Sequence, residues 1–230
     1  VDECHKRGIA VIVDMVFNHA TGQNPMNKLY PWGTDLAENP WFNVTAPHWD
    51  NVYEDWNHGF QPAHNMFIRA LKYWLEEYKI DGYRLDLSHG LCSDKSYTSV
   101  SNLKDYYQKG VMSVAPDAYM ILEHWGDRMD SERPQLISNG MMCWNNTTAA
   151  YGEAAMGWVR QTDNNNSFES ANQDGYISYC ESHDEERMQY KCTQYGNGDI
   201  KTKESVRLGR VAPCVAFNVL LNGSHMLWQF

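Results

Sequence analysis

Three short stretches of the chain each end a strand-like run with a carboxylate. Asp86 closes Asp81-Gly82-Tyr83-Arg84-Leu85-Asp86, Glu123 closes Tyr119-Met120-Ile121-Leu122-Glu123, and Asp184 follows Glu181-Ser182-His183. A fourth run, Val11-Ile12-Val13-Asp14-Met15-Val16-Phe17, leads into the pair Asn18-His19. Carboxylates brought close together suit chemistry on a glycosidic bond, where one acid donates a proton and another attacks. Arg84, two residues before Asp86, shares its strand face by alternation and would keep that carboxyl ionised. A purely structural Asp86, paired with Arg84 at a strand end, fits the same residues. By residue type and position alone, Asp184 is indistinguishable from Glu185 and Glu186, which read as solvated or paired with Arg187.

Such groups need elements to gather them. Strand-like segments are Ala10–Phe17, Gly82–Leu87, Tyr119–His124, Gly140–Trp144, Tyr176–Glu181 and Met226–Phe230. Several are continuous apolar runs, as in strands buried on both faces. Helical periodicity fills the intervals, clearest over His64–Tyr78 and present over Asn102–Val114 and Lys203–Leu221. Pro213 predicts a kink or interruption in the last of these. Alternating strands and helices imply a parallel sheet with crossover helices, and polar strand ends are where a parallel β/α barrel assembles its site. Residues 20–60 lack periodicity and are rich in Asn, Pro, Gly and Trp. They read as a small excursion domain leaning over the site, inserted into a barrel segment of residues 1–19 and 61–230. Gln161–Asp174 reads as a solvated loop.

Composition narrows the function. The chain has 230 residues and a formal charge of -10, which argues against a nucleic-acid backbone as partner. No apolar run approaches membrane-spanning length. Nine Trp residues are numerous enough to ask which pack and which stack on flat ligands. Tyr30, Trp32, Trp41 and Trp49 are candidates for stacking on sugar rings. The six Cys residues show no metal or disulfide spacing and read mostly as buried thiols. The compartment stays open, with a lean towards a secreted or periplasmic protein.

In order along the chain, Asp14-Met15-Val16-Phe17-Asn18-His19, Gly82-Tyr83-Arg84-Leu85-Asp86, Ile121-Leu122-Glu123-His124 and Ser182-His183-Asp184 resemble the four motifs of the α-amylase family of glycoside hydrolases (family 13). They match its third, fourth, fifth and seventh barrel strands, and Gly223–Phe230 looks like the eighth. The resemblance implies an α/β (β/α)8 TIM barrel, incomplete here because the first two strands would precede Val1 and a β-sandwich would follow Phe230. It implies a retaining enzyme that cleaves α-1,4-glucosidic bonds in starch-like α-glucans, with Asp86 as nucleophile and Glu123 as acid/base. Asp184 would grip hydroxyls of the distorted sugar. Arg84, His19, His183, His89 and Trp125 would contact substrate. Asn18 resembles a calcium ligand, with Asp35, Asp50 and Asp55 as partners for the ion.

The chain departs from the family after Asp86. The usual basic residue and His are replaced by His89 and Gly90, and Ser182 stands for the usual Asn. The first departure touches the sugar on the reducing side of the cleaved bond. It leaves two other readings open, a glucan-branching or glucan-transferring enzyme and an inactive glycan-binding module. All three family acids are present, which favours the enzyme.

Overall fold

A computed structural model of the chain describes residues 1–29, 38–93, 99–158 and 172–228. Contacts divide it into two compact units, Val1–Cys143 and Trp144–Phe230.

The first unit is built on parallel strands β1 (Ile12–Val16), β4 (Gly82–Asp86), β5 (Tyr119–Leu122) and the start of β6 (Met142–Asn146), in the order β1-β4-β5-β6. Asp14 lies opposite Arg84 and Arg84 opposite Ile121, so strand register sets the polar residues side by side. β4 is buried along nearly its whole length. β1 is alternately exposed and half-buried, because β4 is its one neighbour among the described strands.

The helix predicted from His64 begins a turn earlier and spans Gln61–Tyr78, with Pro62 in its first turn, where a missing N–H costs nothing. Ala63, His64, Phe67, Leu71 and Leu75 form its buried face. Each large apolar side chain there contributes about 1.5–3 kcal/mol. Lys79 ends the helix in the left-handed conformation. The second helix differs from the sequence expectation. It is α-helical over Val100–Asp105 and then widens into a π-helix over Tyr106–Met112. Gly110 in the widened part lies against Leu71, whose Cδ1 would be 2.9 Å from a Cβ at that glycine.

Within residues 20–60, a short antiparallel pair joins β2 (His19–Ala20) to β3 (Glu54–Asp55), and Phe42 bridges Trp56. Trp56 is buried, 4.5 Å from Phe42 and 5.3 Å from Phe67 of the long helix. Trp41 packs edge-on against Trp56 and Phe60. Tyr30, Trp32 and Asp35 lie outside the described residues.

The second unit holds the rest of β6, then β7 (Tyr176–Tyr179) and β8 (Ser224–Met226), with β7 and β8 parallel. β6 starts later than the predicted Gly140, because Gly140 itself turns with φ of +91°. β8 starts earlier than the predicted Met226, its polar residues Ser224 and His225 pairing with Ile177 and Ser178. Gln229 and Phe230 lie outside the described residues. The predicted interruption at Pro213 does not occur: one helix runs from Glu204 to Leu220. Cys214 lies in the buried cluster with Tyr151, Met188 and Cys192, and Val206, Val211 and Val215 pack against it, so both flanking turns are held.

All six cysteines are free thiols, five of them buried. Among the described residues, no helix is long and apolar enough to cross a membrane.

Candidate active site

The first unit builds its polar centre around Arg84, a side chain only 7% exposed. Its Nη1 donates to Asp14 Oδ1 at 2.8 Å and to Asp86 Oδ1 at 2.7 Å. Its Nη2 lies 2.8 Å from Glu123 Oε2. β1, β4 and β5 thus each direct a carboxylate at one guanidinium. An oxygen of Asp86 and an oxygen of Glu123 lie within 4.8 Å of each other.

Leu87 follows Asp86 in the left-handed region, with φ of 41°, which is strained for a branched side chain. That twist aims its N–H at Glu123 Oε2, 2.9 Å away. Ser88 adds bonds from N–H and Oγ to the Glu123 carbonyl, at 2.8 and 2.9 Å. The turn after β4 is therefore tied to the end of β5. Glu123 is 1% exposed. Burial raises its pKa above the ordinary glutamate value, and the charge of Asp86 pushes the same way. Arg84, the Leu87 N–H and the Trp125 side chain oppose the rise without cancelling it. Burial also works against the charge on Arg84, but Glu123, Asp14 and Asp86 outweigh it and hold the guanidinium protonated.

The departures from the family motif have a structural counterpart. His89 is buried, its ring parallel to Trp49 at 5.4 Å and edge-on to His48 at 5.7 Å. Desolvation lowers its pKa to about 3, so the residue in the family's basic position is neutral. A side chain at Gly90 has no room, because its Cβ would fall 1.6 Å from Asn18 Oδ1.

His19 is half-buried, its Nδ1 3.2 Å from Asn18 Nδ2 and its ring 5.6 Å from Tyr53. In the second unit, His183 lies between Trp144 and Trp228, at 6.0 and 5.7 Å, with its Nε2 3.3 Å from Asp184 Oδ1. Asp184 is solvent-exposed. Glu185 does not pair with Arg187. Its carboxylate accepts from Ser182 Oγ, from Asn146 Nδ2 at 2.9 Å and from Thr148 Oγ1 at 3.1 Å, because β6 ends beside it. Arg187 instead donates to the Ser182 carbonyl and lies over Trp228.

The calcium expectation rests on Asn18. Its Oδ1 is buried without a hydrogen-bond partner among the described residues. The neighbouring Asp55 carboxylate is already taken, by Asn43 Nδ2 at 2.7 Å and His48 Nε2 at 2.7 Å. Calcium takes six to eight oxygens. Among the described residues, Asn18 Oδ1 is the orphaned candidate ligand atom, and Asp35 lies outside them.

Sequence reasoning missed Trp49 as a partner of His89. It also missed Glu132, whose Oε2 meets buried His124 Nε2 at 2.8 Å. Neither residue belongs to a motif, and no periodicity marks them.

Parallel strands alternating with helices, with carboxylates at the C-terminal ends of β4 and β5, define a β/α-barrel type of catalytic scaffold. No protein-family model matches the chain. It is 30% identical over 113 residues to malto-oligosyltrehalose trehalohydrolase of Saccharolobus solfataricus, a match spanning 47% of this chain and 18% of that protein. It is 26% identical over 171 residues to a Bacillus cyclomaltodextrinase (62% and 28%) and 26% identical over 153 residues to the maltogenic α-amylase of Bacillus acidopullulyticus (56% and 23%). The chain thus spans less than a third of the length of these relatives. Its fold matches a pullulanase of Anoxybacillus sp. crystallised with maltotetraose, with TM-score 0.70 and 19% identity over 96% of this chain and 34% of that one. It also matches the α-amylase of Geobacillus thermoleovorans, with TM-score 0.66 and 21% identity over 98% and 50%. The relatives that the chain matches are glycoside hydrolases of the α-amylase family, and its fold is that of the pullulanase and α-amylase structures.

Proposed function

We propose that the protein is a retaining glycoside hydrolase that cleaves α-1,4-glucosidic bonds in starch-like α-glucans. The observation that carries this reading is the pairing of Asp86 and Glu123 on opposite arms of Arg84, with oxygens within 4.8 Å. Retaining enzymes need their two carboxyls about 5–5.5 Å apart, whereas inverting ones leave a wider gap for water.

In this mechanism Glu123 enters protonated, as its raised pKa favours, and gives its proton to the glycosidic oxygen. Asp86, held by Arg84 Nη1 at 2.7 Å, attacks the anomeric carbon, and the bond to the leaving sugar breaks as the covalent glycosyl-enzyme forms. Glu123, now a carboxylate, takes a proton from water. That water attacks the same carbon, releases Asp86 and yields a product with the original anomeric configuration. Asp184, His183 and His19 take the family's roles of gripping the sugar's hydroxyls. The relatives named for maltodextrin and amylase activity support an α-glucan as substrate.

Asp86→Asn and Glu123→Gln are each expected to lower release of reducing ends from amylose by at least about 10²–10⁴-fold, with folding intact. Comparable activity in either variant would remove the assignment. An inverted anomer in the first product, read by NMR, would rule out the retaining route. New α-1,6 branches on amylose would reassign the reaction to glucan transfer.

A further inference from the structure

Directly after Glu123 the chain enters a buried hydrogen-bonded cluster that the bond-breaking steps leave unused. His124 is fully buried, and both of its ring nitrogens have partners. Nδ1 lies 3.1 Å from Ser88 Oγ, and Nε2 lies 2.8 Å from Glu132 Oε2. Ser88 and Glu132 are buried as well, so water does not compete for these bonds. Ser88 opens the short helical turn after β4, whereas Glu132 lies on the helix Met129–Ile137, which follows β5. The next residue of that helix, Arg133, donates from Nε to the His124 carbonyl at 2.8 Å. One helix therefore holds both the ring and the backbone of His124.

The bonds have a direction. The Glu123 carbonyl, 2.9 Å from Ser88 Oγ, can only accept, so it takes the Ser88 hydroxyl proton. Ser88 Oγ is then the acceptor for a proton on His124 Nδ1. Glu132 fixes the far side of the ring, as carboxylate to imidazolium or as carboxylic acid to imidazole. Ser88, His124 and Glu132 stand in the order of a Ser-His-acid triad, but the hydroxyl is sealed from solvent and committed to backbone, so the arrangement holds rather than attacks. Glu132 Oε1 has no hydrogen-bond partner among the described residues, so the fold bears a desolvation cost to keep an acid there. An apolar side chain would carry no such cost.

We propose that Glu132 and His124 are positioning residues for Glu123, acting through Ser88 to fix where the general acid presents its proton. Ser88 holds the Glu123 carbonyl through its N–H as well as its hydroxyl, and the preceding N–H, that of Leu87, holds the Glu123 carboxylate. Releasing Ser88 therefore loosens both ends of the same residue. This role rests on the retaining reading above, in which Glu123 is the acid/base.

The test compares kcat/KM for amylose, whose leaving sugar needs a proton, with kcat/KM for α-maltosyl fluoride, whose fluoride leaves without one. Glu132→Leu is expected to lower the amylose value by about 10–100-fold, the cost of a misplaced catalytic group, and to leave the fluoride value near wild type. Glu132→Gln, whose amide still reaches Nε2, is expected to restore the amylose value. Ser88→Ala, which cuts the link and leaves the pair, should reproduce the amylose-selective loss, and it decides if Glu132→Leu fails to fold. Equal losses on the two substrates, or no loss on amylose, would overturn the proposal in any folded variant of Glu132→Leu or Ser88→Ala. An active wild type with such variants removes this role alone. A wild type that cleaves neither substrate removes the retaining reading and this role with it.

Discussion

Arg84 is one cation among three carboxylates, and Glu123 has its pKa raised above all by burial, with the charge of Asp86 adding to the effect. A nearly fully buried acid beside ionised Asp86 keeps its proton to higher pH than an exposed glutamate, although Arg84 pulls the other way. General-acid activity needs the protonated form, so activity falls as pH rises through the Glu123 pKa. The alkaline limb of kcat/KM is therefore expected above the ordinary glutamate range. Arg84→Gln removes the charge that favours the carboxylate and should move that limb to still higher pH while lowering kcat. A limb that stays in place or moves down would assign it to another group. Among these residues, the Arg84–Asp86 pair was readable from strand alternation alone. The Trp49–His89 and His124–Glu132 contacts were not, because nothing in local residue order encodes which side chain a loop delivers from elsewhere.

At the scale of elements, the pairing of β4 with β5 places Arg84 against Glu123. That pairing begins at Gly82, where an added Cβ would lie 2.5 Å from the Tyr119 carbonyl oxygen and 2.7 Å from Tyr119 Cβ. Backbone cannot yield as a flexible side chain can. Gly82→Ala is expected to cost about 1–3 kcal/mol in urea unfolding and to reduce activity by separating the two strands. An unchanged midpoint with full activity would show that the strands tolerate the shift. Elements with strong periodicity, such as Gln61–Tyr78, were legible to within a turn. The π-helix over Tyr106–Met112 was not, since its widening accompanies packing of Gly110 against Leu71 of a distant helix. β8 was misplaced because its polar Ser224 and His225 carry no apolar signal; pairing with β7 makes them a strand.

For the whole molecule, buried neutral histidines set the acid limit. Desolvation holds His58 at a pKa of about 3, against a smaller upward pull from the Phe17 carbonyl, and holds His89 at about 3 with His124 and His48 adding to the effect. The unfolded chain accepts protons below its ordinary histidine pKa of about 6.5, and the folded chain refuses them. Stability is therefore lost as pH falls below about 6.5 and levels off near 3. Each of these residues contributes a loss of about 2 kcal/mol between pH 7 and pH 5. His89→Asn should flatten the fall in urea stability over that interval by a similar amount, and an equally steep fall would contradict the buried neutral state. By itself the sequence determined the order of the motifs and the parallel α/β class, because alternation and helical period are local properties of the chain. Only the tertiary structure decided that Arg84 holds Asp14, Asp86 and Glu123 together, that His89 is neutral beneath Trp49, and that Gly90 must remain bare beside Asn18. Those facts depend on desolvation and on close approach between segments far apart in the chain, and neither exists until it folds.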